Sequence, residues 1–112
     1  MKRIEKPWGY ELIWAETDQY VAKILHINAG HSLSRQYHNF KDETFLVWSG
    51  EMKLEIGSPV EEVFYMKGGD IYHCPPKTIH RMIAQTETDV VEVSTPQLDD
   101  VVRLEDNYGR NS

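Results

Sequence analysis

Residues 30–50 read GHSLSRQYHNFKDETFLVWSG, and the way this stretch folds back on itself decides the architecture. Gln36 and His38 stand two apart in an extended segment, so both side chains point to one face of a strand. Asn39–Asp42 reads as a loop, and Glu43 then opens the run Thr44–Trp48, which is apolar on both faces. Folded as a hairpin, the stretch would bring Glu43 beside His38. A second stretch, residues 69–80, reads GDIYHCPPKTIH and places His80 on a strand just after the turn Pro75-Pro76-Lys77-Thr78. Two imidazoles, a carboxylate and an amide carbonyl, from His38, His80, Glu43 and Gln36, suit one divalent metal ion, zinc before manganese, nickel or iron. Protein ligands from one side only would leave coordination positions open for water or substrate.

The pattern continues outward from these two stretches. Short β-rich runs alternate with turn residues every 8–12 positions or so, as in a sandwich or barrel. Strands are expected near Glu11–Trp14, Tyr20–Ile27, Leu33–His38, Thr44–Trp48, Glu51–Ile56, Glu62–Met66, Ile71–His73, Ile79–Ala84 and Val90–Ser94. The one helical candidate is a turn over Val101–Leu104 capped by Asp99-Asp100. The fold expected is all-β, a single domain over residues 1–112. Because Thr44–Trp48 is apolar on both faces, both must be covered. The alternating Trp8, Tyr10, Leu12 and Trp14 are candidates for that cover, in cis or across a second chain, and a homodimer is expected.

Composition narrows the function. With 18 acidic against 12 basic residues the net charge is −6, which disfavours nucleic-acid binding through phosphate neutralisation. No apolar run reaches the roughly 20 residues of a membrane-spanning helix, and the first ten residues lack the apolar core of a signal peptide. A single cysteine, Cys74, rules out an internal disulfide and fits a reducing, cytoplasmic setting. Cys74 reads as a small buried residue, and His26, His31 and His73 as structural histidines.

The two stretches resemble the two motifs of the cupin superfamily. Gly30, Gln36, His38, Glu43 and Gly50 fall in the register of the first motif, with Gln36 where most cupins carry a histidine. Gly69, Pro75 and His80 fall in the register of the second, with Lys77 and Ala84 replacing its glycine and asparagine. The resemblance implies a cupin double-stranded β-helix, or jelly-roll, barrel. Lys6-Pro7-Trp8-Gly9-Tyr10-Glu11, Leu33-Ser34 with Gln36 and His38, and Val101 through Arg110 look like type II phosphomannose isomerases. In that family the isomerase is often the C-terminal cupin domain of a bifunctional mannose-1-phosphate guanylyltransferase. The present sequence has no Gly-rich nucleotide loop. Gln36 at the first ligand position is also similar to the Gln-His-Glu-His zinc site of type I phosphomannose isomerases. Thr95–Asp100 departs from the family pattern and is a candidate for the pocket mouth.

The resemblance implies interconversion of mannose 6-phosphate and fructose 6-phosphate. That reaction moves a proton between C1 and C2 and needs an enediolate stabilised, work suited to a Lewis-acidic metal and a nearby base. Glu92, a charge between Val91 and Val93, is the candidate base if it faces inward. Lys23, which interrupts an apolar strand where the family has a lysine, is a candidate for catalysis and for substrate binding. Arg103 and Arg110, in the family-like tail, are candidates for holding the phosphate. Lys77 and Arg81 read as solvated charges. The small-molecule partner expected is a sugar phosphate. The alternatives are a non-catalytic cupin that binds a sugar or another small ligand, and another metal-dependent cupin enzyme, an epimerase or oxygenase.

Overall fold

The computed structural model describes residues 1–110. The chain runs through β1 (Lys2–Lys6), β2 (Gly9–Glu16), β3 (Val21–Ile27), β4 (Arg35–Tyr37), β5 (Glu43–Ser49) and β6 (Glu51–Ile56). It continues through β7 (Glu62–Lys67), β8 (Ile71–Cys74), β9 (His80–Ala84), β10 (Thr88–Ser94) and β11 (Val102–Glu105), with no helix among the described residues. Two antiparallel sheets result, one in the order β1-β2-β3-β10-β5-β8 and the other in the order β11-β4-β9-β6-β7. They face each other across one core, in which Phe45, Val47, Met52, Leu54, Met82 and Val90 are fully or almost fully buried. This is the jelly-roll barrel that the motif spacing implies.

Alternation along the strands sorts that core into two ends. On β5 the inward positions are Glu43, Phe45 and Val47; on β10 they are Thr88, Val90, Glu92 and Ser94; on β3 they are Val21, Lys23, Leu25 and Ile27. The register sets Glu92 opposite both Lys23 and Phe45, and Ser94 opposite Glu43. Ionisable groups therefore gather toward one end of the barrel while apolar groups fill the other.

The helix expected over Val101–Leu104 is instead strand β11. It pairs with β4 through Val102↔Tyr37 and Arg103↔Gln36, because β4 would otherwise end the sheet with unpaired amides and carbonyls. Two adjacent valines also favour an extended backbone. Arg81, expected in solvent, is buried, with its guanidinium on the Leu33 carbonyl, Ser32 Oγ and Asn107 Oδ1. It ties the C-terminal segment to the barrel. Lys77 is exposed, as expected.

The N-terminal aromatic residues do not cover β5 in cis. Trp8 turns inward at the β1–β2 hairpin and is buried in the core, whereas Tyr10, Leu12 and Trp14 lie on the outer face of the same sheet as β5. They extend that face and leave Trp14 50% and Trp48 69% exposed.

The hairpin that buries Trp8 depends on Gly9. Its φ is +152°, and a Cβ there would overlap the His26 carbonyl oxygen. Gly9→Ala is expected to destabilise the protein by about 2 kcal/mol or more, read as a fall in the urea midpoint at unchanged slope. On the outer face, His26 Nδ1 lies 2.7 Å from Asp89 and Nε2 lies 3.1 Å from Glu87. Burial alone would lower its pKa, but the two carboxylates outweigh burial and raise it above 6.5. The linked stability is then fully present below the unfolded value and disappears as pH rises through the folded one. Wild type and His26→Gln are expected to differ most in urea midpoint near pH 5.5 and to converge above pH 8 or so.

Candidate metal centre

Three side chains from three different elements meet at the polar end of the barrel. His80 opens β9, Glu43 opens β5, and His38 follows β4 in the loop before β5. Their ligand atoms lie within 4.8 Å of one another, and all three residues are buried. His80 Nε2 is 3.2 Å from Glu43 Oε1, and His38 Nε2 is 3.5 Å from Glu43 Oε2. Ligand atoms about 2.0–2.1 Å from a tetrahedral zinc stand about 3.3 Å apart, so these spacings suit one ion. Gln36 pairs with His80 across β4 and β9 and lines the adjoining cavity, with its Oε1 2.6 Å from Ser34 Oγ.

The hydrogen bonds behind the ligands favour a cation as well. His38 Nδ1 donates to the Asp100 carbonyl and His80 Nδ1 lies 2.9 Å from the Thr78 carbonyl. Each bond holds one ring nitrogen as the donor and turns the Nε2 lone pair toward Glu43. His38 Nε2 is buried without a hydrogen-bond partner, and Glu43 Oε2 has the Lys41 ammonium at 3.0 Å. An orphaned acceptor in a buried site is costly unless something electrophilic joins it. In the absence of a cation a proton on His80 serves: burial would lower its pKa, but Cys74 and Glu43 push it up to about 10. A bound metal would replace that proton.

Asp100 is a positioning residue that sequence reasoning missed. Its carboxylate accepts from the backbone amides of Asn39, Phe40 and Lys41 at 3.0, 2.7 and 3.0 Å, while its carbonyl holds His38. The expected helix cap is thus a clamp on the ligand-bearing loop, made across sixty residues of sequence or so, which no local pattern announces.

Lys41 is the second residue missed. It is buried, with Nζ 3.0 Å from Glu43 Oε2 and 3.4 Å from Glu92 Oε2. Burial would lower its pKa, but the two carboxylates raise it, so it stays charged. Glu92 faces inward and is buried; desolvation and the nearby Glu43 raise its carboxyl above the ordinary range. Lys23 also faces inward and lies 3.6 Å from Glu11.

These groups line a cavity of about 100 Å³ that opens between the sheets. Leu98 and Val101, from the segment expected at the mouth and the residue after it, form part of its wall, as do Arg103 and Arg110. Arg110 is met by Asp106 through bonds of 2.9 and 3.1 Å. His26, His31 and His73 lie elsewhere, on Asp89, Tyr108 and Asp42 respectively.

Comparison with known proteins agrees with fold and motif. Residues 23–95 match the family described as Cupin domain. The chain belongs to the cupin family. Among curated proteins it is 29% identical over 115 residues to the xanthan biosynthesis protein XanB of Xanthomonas campestris, covering 97% of this chain and 24% of that protein. It is 31% identical over 118 residues to the mannose-1-phosphate guanylyltransferase ManC of Salmonella typhimurium, covering 97% and 23%. The chain thus spans about a quarter of the length of the curated relatives it matches. KdgF from Halomonas sp. has a similar structure, with a TM-score of 0.76 at 20% identity over 88% of this chain and 89% of that one. A single-residue variant of Streptomyces PAC13, solved with uridine, gives 0.78 at 15% identity over 94% and 84%. At these identities the structural likeness speaks for the fold alone.

Proposed function

We propose that this chain is a metal-dependent cupin isomerase acting on a sugar phosphate, most like the interconversion of mannose 6-phosphate and fructose 6-phosphate. The observation that carries the reading is the convergence of His38, Glu43 and His80, with His38 and the inward carboxylate of Glu92 both lining a cavity whose wall carries cations. The distant likeness to mannose-1-phosphate guanylyltransferases supports the sugar class. His38, Glu43 and His80 would hold the ion, with Gln36 as the fourth ligand once Ser34 releases its carbonyl. Zinc suits two imidazoles and a carboxylate best; manganese, nickel and iron fit the same donors less selectively. A bound divalent ion supplies Lewis acidity for an enediolate-like charge.

The remaining work falls to the protein. Glu92 takes the proton at one carbon and returns it at the other, and burial with Glu43 nearby raises its pKa, which makes its carboxylate a stronger base than an exposed one. Lys41 holds Glu92 in place, Lys23 lies opposite it, and Arg103 and Arg110 at the tail face the substrate's far end. Incubation with mannose 6-phosphate in deuterated solvent tests the reading: fructose 6-phosphate should appear with deuterium at C1, and mannose 6-phosphate re-formed from it should carry deuterium at C2. Binding without turnover by the metal-loaded protein would leave a sugar-binding cupin. That second reading has its own support, because Glu92 is tied to Lys41 and the cavity is smaller than the roughly 300–1,000 Å³ of most ligand pockets.

The same reading takes residues 1–112 as one cupin domain, cytoplasmic because its only cysteine is buried and unpaired. It also includes a homodimer through the outer face of Trp14 and Trp48. Trp48→Glu should turn a sedimenting dimer into a monomer; an unchanged sedimentation coefficient would remove the dimer from the reading.

A further inference from the structure

The cavity wall carries five cations, and most are already neutralised. Lys23 pairs with Glu11, Lys41 with Glu43 and Glu92, and Arg110 with Asp106. Two are left. Lys6, at the end of β1, and Arg103, on β11, line the cavity with no acidic side chain within 4.0 Å among the described residues. Arg103 Nε is buried and has no hydrogen-bond partner. A buried guanidinium nitrogen without an acceptor is costly and points to a missing one. Lys6 is half-buried in the same wall.

We infer that Lys6 and Arg103 form an anion subsite in the cavity wall, and that the group it takes is a phosphomonoester dianion. Two uncompensated positive charges match the charge of about −1.5 to −2 that a phosphomonoester carries at pH 7. A planar guanidinium and a mobile ammonium together suit a tetrahedral oxyanion, one giving directed donors and the other a point charge. The electrostatics of Lys6 agree. Burial lowers its pKa, Glu11 raises it, and Lys23, Arg103 and Arg110 lower it again, so the amine stands in a cationic neighbourhood. An arriving dianion would relieve that repulsion. The inference deepens the sugar-phosphate reading and rests on it for the placement of the sugar, but the anion grip stands on Lys6 and Arg103 alone. It also gives a shared task to β1 and β11, which belong to different sheets and each supply one cation to this wall.

Calorimetric titration of the full chain with inorganic phosphate tests it. Lys6→Met and Arg103→Met should each weaken phosphate binding by about tenfold or more, the size expected for loss of a charge-assisted contact. Lys67→Met removes the same charge from an exposed position on β7 and should leave binding unchanged. Wild type should bind phosphate more tightly than acetate. Circular dichroism and the urea midpoint identify a variant that has failed to fold, and Lys6→Gln then takes its place in the comparison. Equal phosphate binding by wild type and the Lys6→Met/Arg103→Met double variant overturns the inference, as does absence of phosphate binding or preference for acetate. Its failure is distinguishable from failure of the functional reading. Isomerase activity with an unchanged KM for mannose 6-phosphate in Lys6→Met sinks the subsite and keeps the isomerase. Phosphate binding lost in the variants, without any isomerisation by the wild type, does the reverse.

Discussion

His80→Ala and Glu43→Gln are each expected to weaken divalent-metal binding by more than about 100-fold, beyond the 10–100-fold typical of residues that only orient a ligand. Both side chains are buried, and they face each other at 3.2 Å with their remaining valences pointed at the same point as His38 Nε2. Losing the His80 imidazole or the Glu43 charge leaves two strong donors beside weak amide carbonyls, too few to hold an ion tightly against water. Glu43→Gln keeps the shape and removes only the charge, so it separates coordination from packing. Asp100→Ala should fall between these variants and wild type. It frees the backbone of residues 39–41 and loosens His38 without deleting a donor. Metal content after dialysis, by mass spectrometry, and competition with a chromophoric chelator measure all three. One metal per chain retained in both His80→Ala and Glu43→Gln would place the metal elsewhere.

The second large effect concerns the lysine between two buried carboxylates. Lys41→Met, in protein stripped of metal by a chelator, is expected to cost about 3–5 kcal/mol, because removing one member of a buried ion cluster leaves the others uncompensated. Lys41 Nζ lies 3.0 Å from Glu43 and 3.4 Å from Glu92, and desolvation already disfavours the Glu92 charge. Methionine keeps most of the stem volume, so the loss reports charge and not a void. Adding Glu92→Gln should restore a large part of the stability, since the neutral amide removes the repulsion with Glu43. Urea denaturation of the wild type, the two single variants and the double variant gives the coupling directly. If Lys41→Met proves as stable as wild type, or the second change brings no recovery, the lysine is not what holds these carboxylates together.

Much of this arrangement was legible in one dimension. Gln36 and His38 at a spacing of two, Glu43 five residues on, and His80 after a proline turn already mark a strand–loop–strand site. The apolar run Thr44–Trp48 already demands cover on two faces. Lys41 was not legible, since a lysine in a polar loop reads as solvated until the loop is seen folded over a buried carboxylate. Arg81 misled for the same reason: its partners Leu33, Ser32 and Asn107 come from distant segments. The acidic pair Asp99-Asp100 has the local signature of a helix cap, yet Val102 and Arg103 meet Tyr37 and Gln36 of an open sheet edge. Pairing across the sheet outweighs the weak helical preference of four residues.

By itself, then, the amino-acid sequence determined the β architecture, the motif register and the identity of the metal-ligand candidates. These depend on periodicities of two and on short spacings, which are local along the chain, although the expected hairpin is instead a crossing between sheets, with β4 in one and β5 in the other. Tertiary structure alone decided the charge balance around the cavity. Lys23 and Lys41 are neutralised by carboxylates on other elements and Arg110 by Asp106 of its own segment, while Lys6 and Arg103 arrive from opposite ends of the chain without one. Which cation is left for a ligand depends on which carboxylates lie within a few ångströms of it, and only the packing of two sheets sets those distances.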